Sequence, residues 1–170
     1  MRKKRFDTRR VALCGLLLAM MLILGWVEHM LPINVGIPGV KLGLSNSVLI
    51  FAVCMLDIPT TYVLMVLKVV LSCAFLGTPA SMIIYGLAGG LLSVTGMILL
   101  NRVKGMHKIT ISIAGGALHN VGQVLMVMLL TPTPQLLYYM AILMLTGMGF
   151  GALTGIVATM TMKHLKNMRF

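Results

Sequence analysis

The chain has 170 residues, 59% hydrophobic and only 10% charged, with mean hydropathy +1.01 and formal net charge +11. Soluble domains average about 25% charged residues, so this composition excludes a water-soluble domain and predicts an integral membrane protein. Its basic residues fall in clusters at Arg2–Arg10, at Arg102, Lys104 and Lys108, and at Lys163, Lys166 and Arg169; that is the pattern of cytoplasmic ends under the positive-inside rule, and it excludes the continuous basic face of a nucleic-acid-binding domain.

The N-terminus resembles a signal peptide in having a basic segment before an apolar run. The run from Val11 to Val27 is longer than a signal-peptide core and no small-x-small cleavage pattern follows it. A retained first span over about 10–30 is therefore expected, ended by Pro32. About 20 residues suffice to cross about 30 Å of hydrocarbon. Ala12, Gly15 and Ala19 lie on one strip of this span, where small side chains permit close helix approach. Packing within the chain is the simpler role for the strip; docking onto a partner subunit is the alternative.

Residues 31–41 read as an outer loop rich in turn formers, Pro32, Asn34, Gly36, Pro38 and Gly39. A second span over about 42–56 follows, then a turn at Asp57 and Pro59, and a third span over about 60–76 with Lys68 in its middle. The stretch Pro38-Gly39-Val40-Lys41-Leu42-Gly43-Leu44-Ser45-Asn46 stands out because it sets polar groups at the edge of a span. Gly77-Thr78-Pro79 turns the chain outside. Span four covers about 80–100, with Gly86 and Gly90 four apart, and the basic segment 101–108 returns to the cytoplasm. Span five covers about 109–130 and carries His119, Asn120 and Gln123. Span six covers about 136–162, with Gly147, Gly151 and Gly155 spaced by four as a helix-packing face. The expectation is one all-α membrane domain over residues 1–170: a six-helix transmembrane bundle with both termini cytoplasmic, an even parity that puts all three basic clusters on one side.

Lys68 lies about eight residues into its span, roughly 12 Å deep at a rise of 1.5 Å per residue. A charge at that depth needs an anion, a carbonyl or water. Glu28 is one of only three acidic residues in the chain, beside Asp7 and Asp57. One reading is a structural pair between Glu28 and Lys41 or Lys68. The other is an outward-facing pocket in which Glu28, Lys41, Asn46, Lys68, Asn120 and Gln123 bind a small molecule with an anionic or carbonyl group and an apolar body. The 17 methionines suit adaptable packing. Cys14, Cys54 and Cys73 are isolated and the four histidines lack metal-ligand spacing, so no metal, cofactor or catalytic residue is expected.

Arg9-Arg10-Val11-Ala12-Leu13, Glu28, the Pro38–Asn46 stretch and His119-Asn120-Val121-Gly122-Gln123 together resemble the family labelled Gx transporter or heptaprenyl diphosphate synthase component I, which is similar to the S components of energy-coupling-factor (ECF) transporters. The resemblance covers nearly the whole chain. It implies six helices in a bacterial plasma membrane, a ligand pocket capped by the first outer loop, and docking through span one onto a transmembrane scaffold subunit driven by two cytoplasmic ATPases. S components often carry an Ala-x-x-x-Ala strip there, and Gly15-x-x-x-Ala19 is the nearest match. The two labels imply different functions. Prenyl-chain synthesis needs clustered aspartates to hold Mg²⁺, whereas Asp7 and Asp57 lie fifty residues apart. A GxxxxGK[ST] loop is also lacking. The expected function is thus non-enzymatic: an ECF-type S component for a vitamin-like or quinone- or isoprenoid-precursor molecule. The alternative is a non-catalytic membrane accessory of polyprenyl diphosphate or quinone synthesis.

Overall fold

In a computed structural model, residues 8–30, 45, 48–77, 79, 81–131 and 136–167 are described. Six helices run in order: α1 Thr8–Met30, α2 Leu49–Met55, α3 Ile58–Leu76, α4 Ser81–Asn101, α5 Lys108–Leu130 and α6 Leu136–Asn167. Among the described residues, five helices are long and apolar enough to span a bilayer, and the chain is a multi-pass membrane protein.

The helix ends follow local chemistry. Asp57, with extended backbone, caps α3, and Pro59 follows in the first turn, where a missing N–H costs nothing. Thr60 Oγ1 donates to Asp57 Oδ2 at 3.0 Å. Gly77 closes α3 in the left-handed conformation, φ 60°, with its N–H on the Cys73 carbonyl, as a residue without Cβ permits.

The expected second span is described only in part. Over the described residues α2 has 7 residues, about 10 Å of helix. Residues 42–44, 46 and 47 of that expected span lie outside the described residues. Leu49, Ile50, Ala52 and Val53 are buried, because α2 sits against each of the other five helices. The apolar character of this face reflects contact with protein, while Met55 remains exposed.

Contacts along the helices give their directions. Arg10 pairs with Asp57, and Gly25 faces Ser72, so α1 and α3 run parallel and the chain between them must return across the bundle. Gly86 and Gly90 receive Val69 and Met65, making α4 antiparallel to α3. Ser93 Oγ donates to the Gly115 carbonyl at 2.8 Å, and Gly122 meets Gly89, so α5 reverses again. On α6, Gly147, Gly151 and Gly155 lie against Gly116, the Ser112–Ile113 backbone and Ile109 respectively. The four-residue glycine spacing is thus the α5–α6 seam. These directions bring Arg9, Arg10, Arg102, Lys104, Lys108 and Lys163 to one end of the bundle.

Candidate functional site

Helical spacing selects which side chains face inward. On α3 the buried positions are Thr61, Leu64, Met65, Lys68, Val69, Ser72 and Cys73, a 3,4-repeat that marks one face. On α1 they are Leu17, Met21, Gly25 and Glu28. Lys68 and Glu28, each only 7% exposed, are charged members of otherwise apolar stripes. α5 adds His119, Asn120 and Gln123, all buried. Each of these ionisable or amide groups sits where solvent does not reach, and such groups are costly there unless matched.

The helix register sets their heights. Arg10 with Asp57 and Gly25 with Ser72 give the same offset, so Lys68 lies level with Met21. The α3–α4 and α4–α5 contacts carry that level to Gln123, within about one residue rise. Asn120 and His119 lie about one turn nearer the basic end. Glu28 lies seven residues beyond Met21, about 10 Å farther from the basic end. Ser45 joins near the level of Gly25, whose Cβ position is 3.7 Å from Ser45 Cβ and from Ser72 Oγ. The polar groups therefore occupy two layers: Lys68 and Gln123 with Asn120 and His119 just below, and Ser45, Ser72 and Glu28 toward the end away from the basic clusters.

Asn120 and Gln123, three residues apart, are divided between neighbours. Asn120 Nδ2 donates to the Leu143 carbonyl at 2.5 Å and stands against Gly147, so it joins α5 to α6. The Gln123 stem packs on Gly89 of α4. Among the described residues, Asn120 Oδ1, Gln123 Oε1 and Ser72 Oγ are buried without a hydrogen-bond partner. Leaving a buried polar group unmatched costs about 1–3 kcal/mol. Lys41 and Asn46 lie outside the described residues.

Sequence reasoning named Lys68 but passed over Ser72, although i+4 spacing from Lys68 puts it on the same face. It also passed over the Arg10–Asp57 pair, which joins residues distant in the chain. The strip of Ala12, Gly15 and Ala19 is exposed, and nothing lies within 4 Å of a Cβ built on Gly15. Packing within the chain, the simpler role for this strip, is overturned for Gly15: α1 turns its other face, Leu17, Met21 and Gly25, inward.

No curated protein and no solved structure matches the chain closely enough to count as a relative. The family model described as heptaprenyl diphosphate synthase component I matches residues 17–161. That match takes in the inward face of α1, the whole α3–α5 polar layer and the α5–α6 glycine seam, and the chain belongs to the heptaprenyl diphosphate synthase component I family.

Proposed function

We propose that the protein is a non-enzymatic, substrate-binding membrane subunit: an S component of an ECF-type ABC uptake transporter, in a bacterial plasma membrane with both termini cytoplasmic. The observation that carries this reading is the buried Lys68, level with Gln123 and one turn from Ser72 on its own face. A small molecule with an anionic or carbonyl group would complement that ammonium group, and its apolar body would suit Met21, Met65 and Val69, buried near the same level. A vitamin-like or quinone- or isoprenoid-precursor molecule has this character. The outward strip of Ala12, Gly15 and Ala19 supports docking onto a transmembrane scaffold subunit, with two cytoplasmic ATPases supplying the energy. The common end of the basic residues supports the orientation.

The family name favours a second reading, a membrane accessory of polyprenyl diphosphate or quinone synthesis. Catalysis by this chain itself is disfavoured by its carboxylates: Asp57 is engaged by Arg10 and Thr60, leaving no aspartate cluster for Mg²⁺ and diphosphate. Native mass spectrometry of the purified full chain separates the readings. A small acidic or carbonyl compound retained by the protein, and lost in Lys68→Met, supports the transport subunit. Retention of a prenyl synthase subunit with no small molecule would sink it in favour of the accessory.

A further inference from the structure

α1 and α3 do not close against each other along their whole length. Toward the end away from the basic clusters they leave a groove of about 450 Å³ lined by Ala19, Leu22, Trp26, Phe75, Leu76 and Ser72. That volume falls within the range of about 300–1,000 Å³ typical of small-molecule sites. Trp26 and Phe75 are exposed on the lipid-facing side of the bundle. The groove runs about 10 Å along α1 from Ala19 to Trp26. Its walls are apolar save for the indole N–H of Trp26 and the hydroxyl of Ser72, 8% exposed, whose Oγ has no hydrogen-bond partner among the described residues. Ser72 is also one turn from Lys68 on the inward face of α3.

A wholly apolar occupant would leave the hydroxyl unmatched, and a wholly polar one would not leave water for a wall of Trp26, Leu22 and Phe75. A single-chain amphiphile meets both demands, with its hydrocarbon in the groove and its polar end on Ser72. The bilayer also delivers such molecules directly to this face. We propose that the α1–α3 groove is a lateral binding site for the hydrocarbon chain of a membrane-partitioned amphiphile, whose polar end hydrogen-bonds Ser72 and points toward Lys68. The proposal deepens the reading of the Lys68 layer as a substrate site, and rests on it for the destination of the polar end.

Trp26 is the sole tryptophan of the chain, so intrinsic fluorescence reports on the groove without a label. The full chain in phosphatidylcholine vesicles would be titrated with farnesyl phosphate, and in parallel with oleate and with inorganic phosphate. The expected result is a saturable change of Trp26 emission with farnesyl phosphate and none with inorganic phosphate. Ser72→Ala should weaken binding about threefold to tenfold, the loss of one hydrogen bond, and Ala19→Phe, which fills the groove from an exposed position, should abolish the change. Equal saturation by oleate would assign the groove to hydrocarbon chains at large, and a response confined to farnesyl phosphate would assign it to isoprenoids; both support the site. A response that never saturates, or that is the same in Ala19→Phe, would mean bulk lipid contact and overturn it. Lys68→Met keeps the two readings apart. Saturable binding that survives Lys68→Met but not Ala19→Phe upholds the groove and removes Lys68 from the site. Binding lost in Lys68→Met and unaffected by Ala19→Phe does the reverse.

Discussion

The glycine seams make a prediction whose size can be worked from contact geometry. A Cβ added to Gly116 would collide with the Gly147 carbonyl oxygen and stand 2.9 Å from its carbonyl carbon, both backbone atoms. One added to Gly115 would meet the Met97 side chain, nearest at Sδ 2.5 Å away, which can swing aside. One added to Gly25 would make ordinary contacts at 3.7 Å, and one on Gly15 would meet nothing. Each replacement by alanine gains the same helix propensity, about 1 kcal/mol, so differences between variants isolate packing. Overpacking against a rigid neighbour costs about 1–3 kcal/mol. Gly116→Ala should therefore unfold about 2–12 °C below Gly15→Ala, taking about 2–4 °C per kcal/mol for a chain of this size. Gly115→Ala should fall between them, and Gly25→Ala should match Gly15→Ala. Thermal unfolding of the four variants in one detergent, followed by circular dichroism, tests the order. Gly116→Ala melting level with Gly15→Ala would refute the backbone contact between α5 and α6.

The remaining predictions concern site, docking and topology. Lys68→Met should leave folding and insertion intact while lowering ligand affinity at least tenfold, read by a binding titration, because a buried charge is costly and only a counter-group or ligand justifies it; a double-mutant cycle with Glu28→Gln on melting temperature tells whether the two residues act as a pair. Gly15→Leu should preserve ligand binding but abolish uptake in cells, since Gly15 faces outward on α1 and is not part of the groove; uptake that survives the change would remove the strip from the docking face. Single cysteines at 35 and 133 should react with an impermeant maleimide added outside intact cells, and one at 105 should not. External labelling at 105 would reverse the orientation.

Most of the bundle was legible in the sequence because lipid imposes simple demands. Apolar runs near 20 residues, punctuated by Pro59, Gly77 and the basic turn that includes Gly105, marked five of the helices to within a few residues, although α6 runs to Asn167 rather than 162. For the second span, hydropathy records only that a side chain avoids water. It does not separate a residue against lipid from one such as Ile50, enclosed by other helices. The four-residue glycine repeat of α6 was readable for the opposite reason: close backbone contact admits almost no other residue. Within the polar layer, periodicity placed Lys68 on an inward face but could not tell which neighbour each amide would meet. Asn120 and Gln123 differ by about 60° around α5 at 3.6 residues per turn, enough to send one to α6 and the other to α4. Arg10 and Asp57 meet only because α1 and α3 run parallel, a fact of tertiary arrangement that no local pattern carries.

The packing also says where this bundle is firm and where it can give. α4, α5 and α6 meet through glycines whose backbones touch, at Gly89 with Gly122 and at Gly116 with Gly147; interfaces of that kind have no side chains to repack and resist sliding. α1 leans on the rest through Leu17, Met21 and Gly25. It is tied at the basic end by Arg10 with Asp57, a half-exposed pair of the sort that contributes at most about 1 kcal/mol, and at the other end it meets α3 at Gly25 and Ser72 with the groove open beside that contact. Lys68 and Ser72 lie on the α3 face between the firm slab and this looser helix. A cation buried in the middle of the slab could be reached only by breaking backbone contacts. A cation placed at the α1 seam can be reached by tilting one helix, and a binding subunit with a buried polar site needs such a placement if it is to admit a molecule from the membrane.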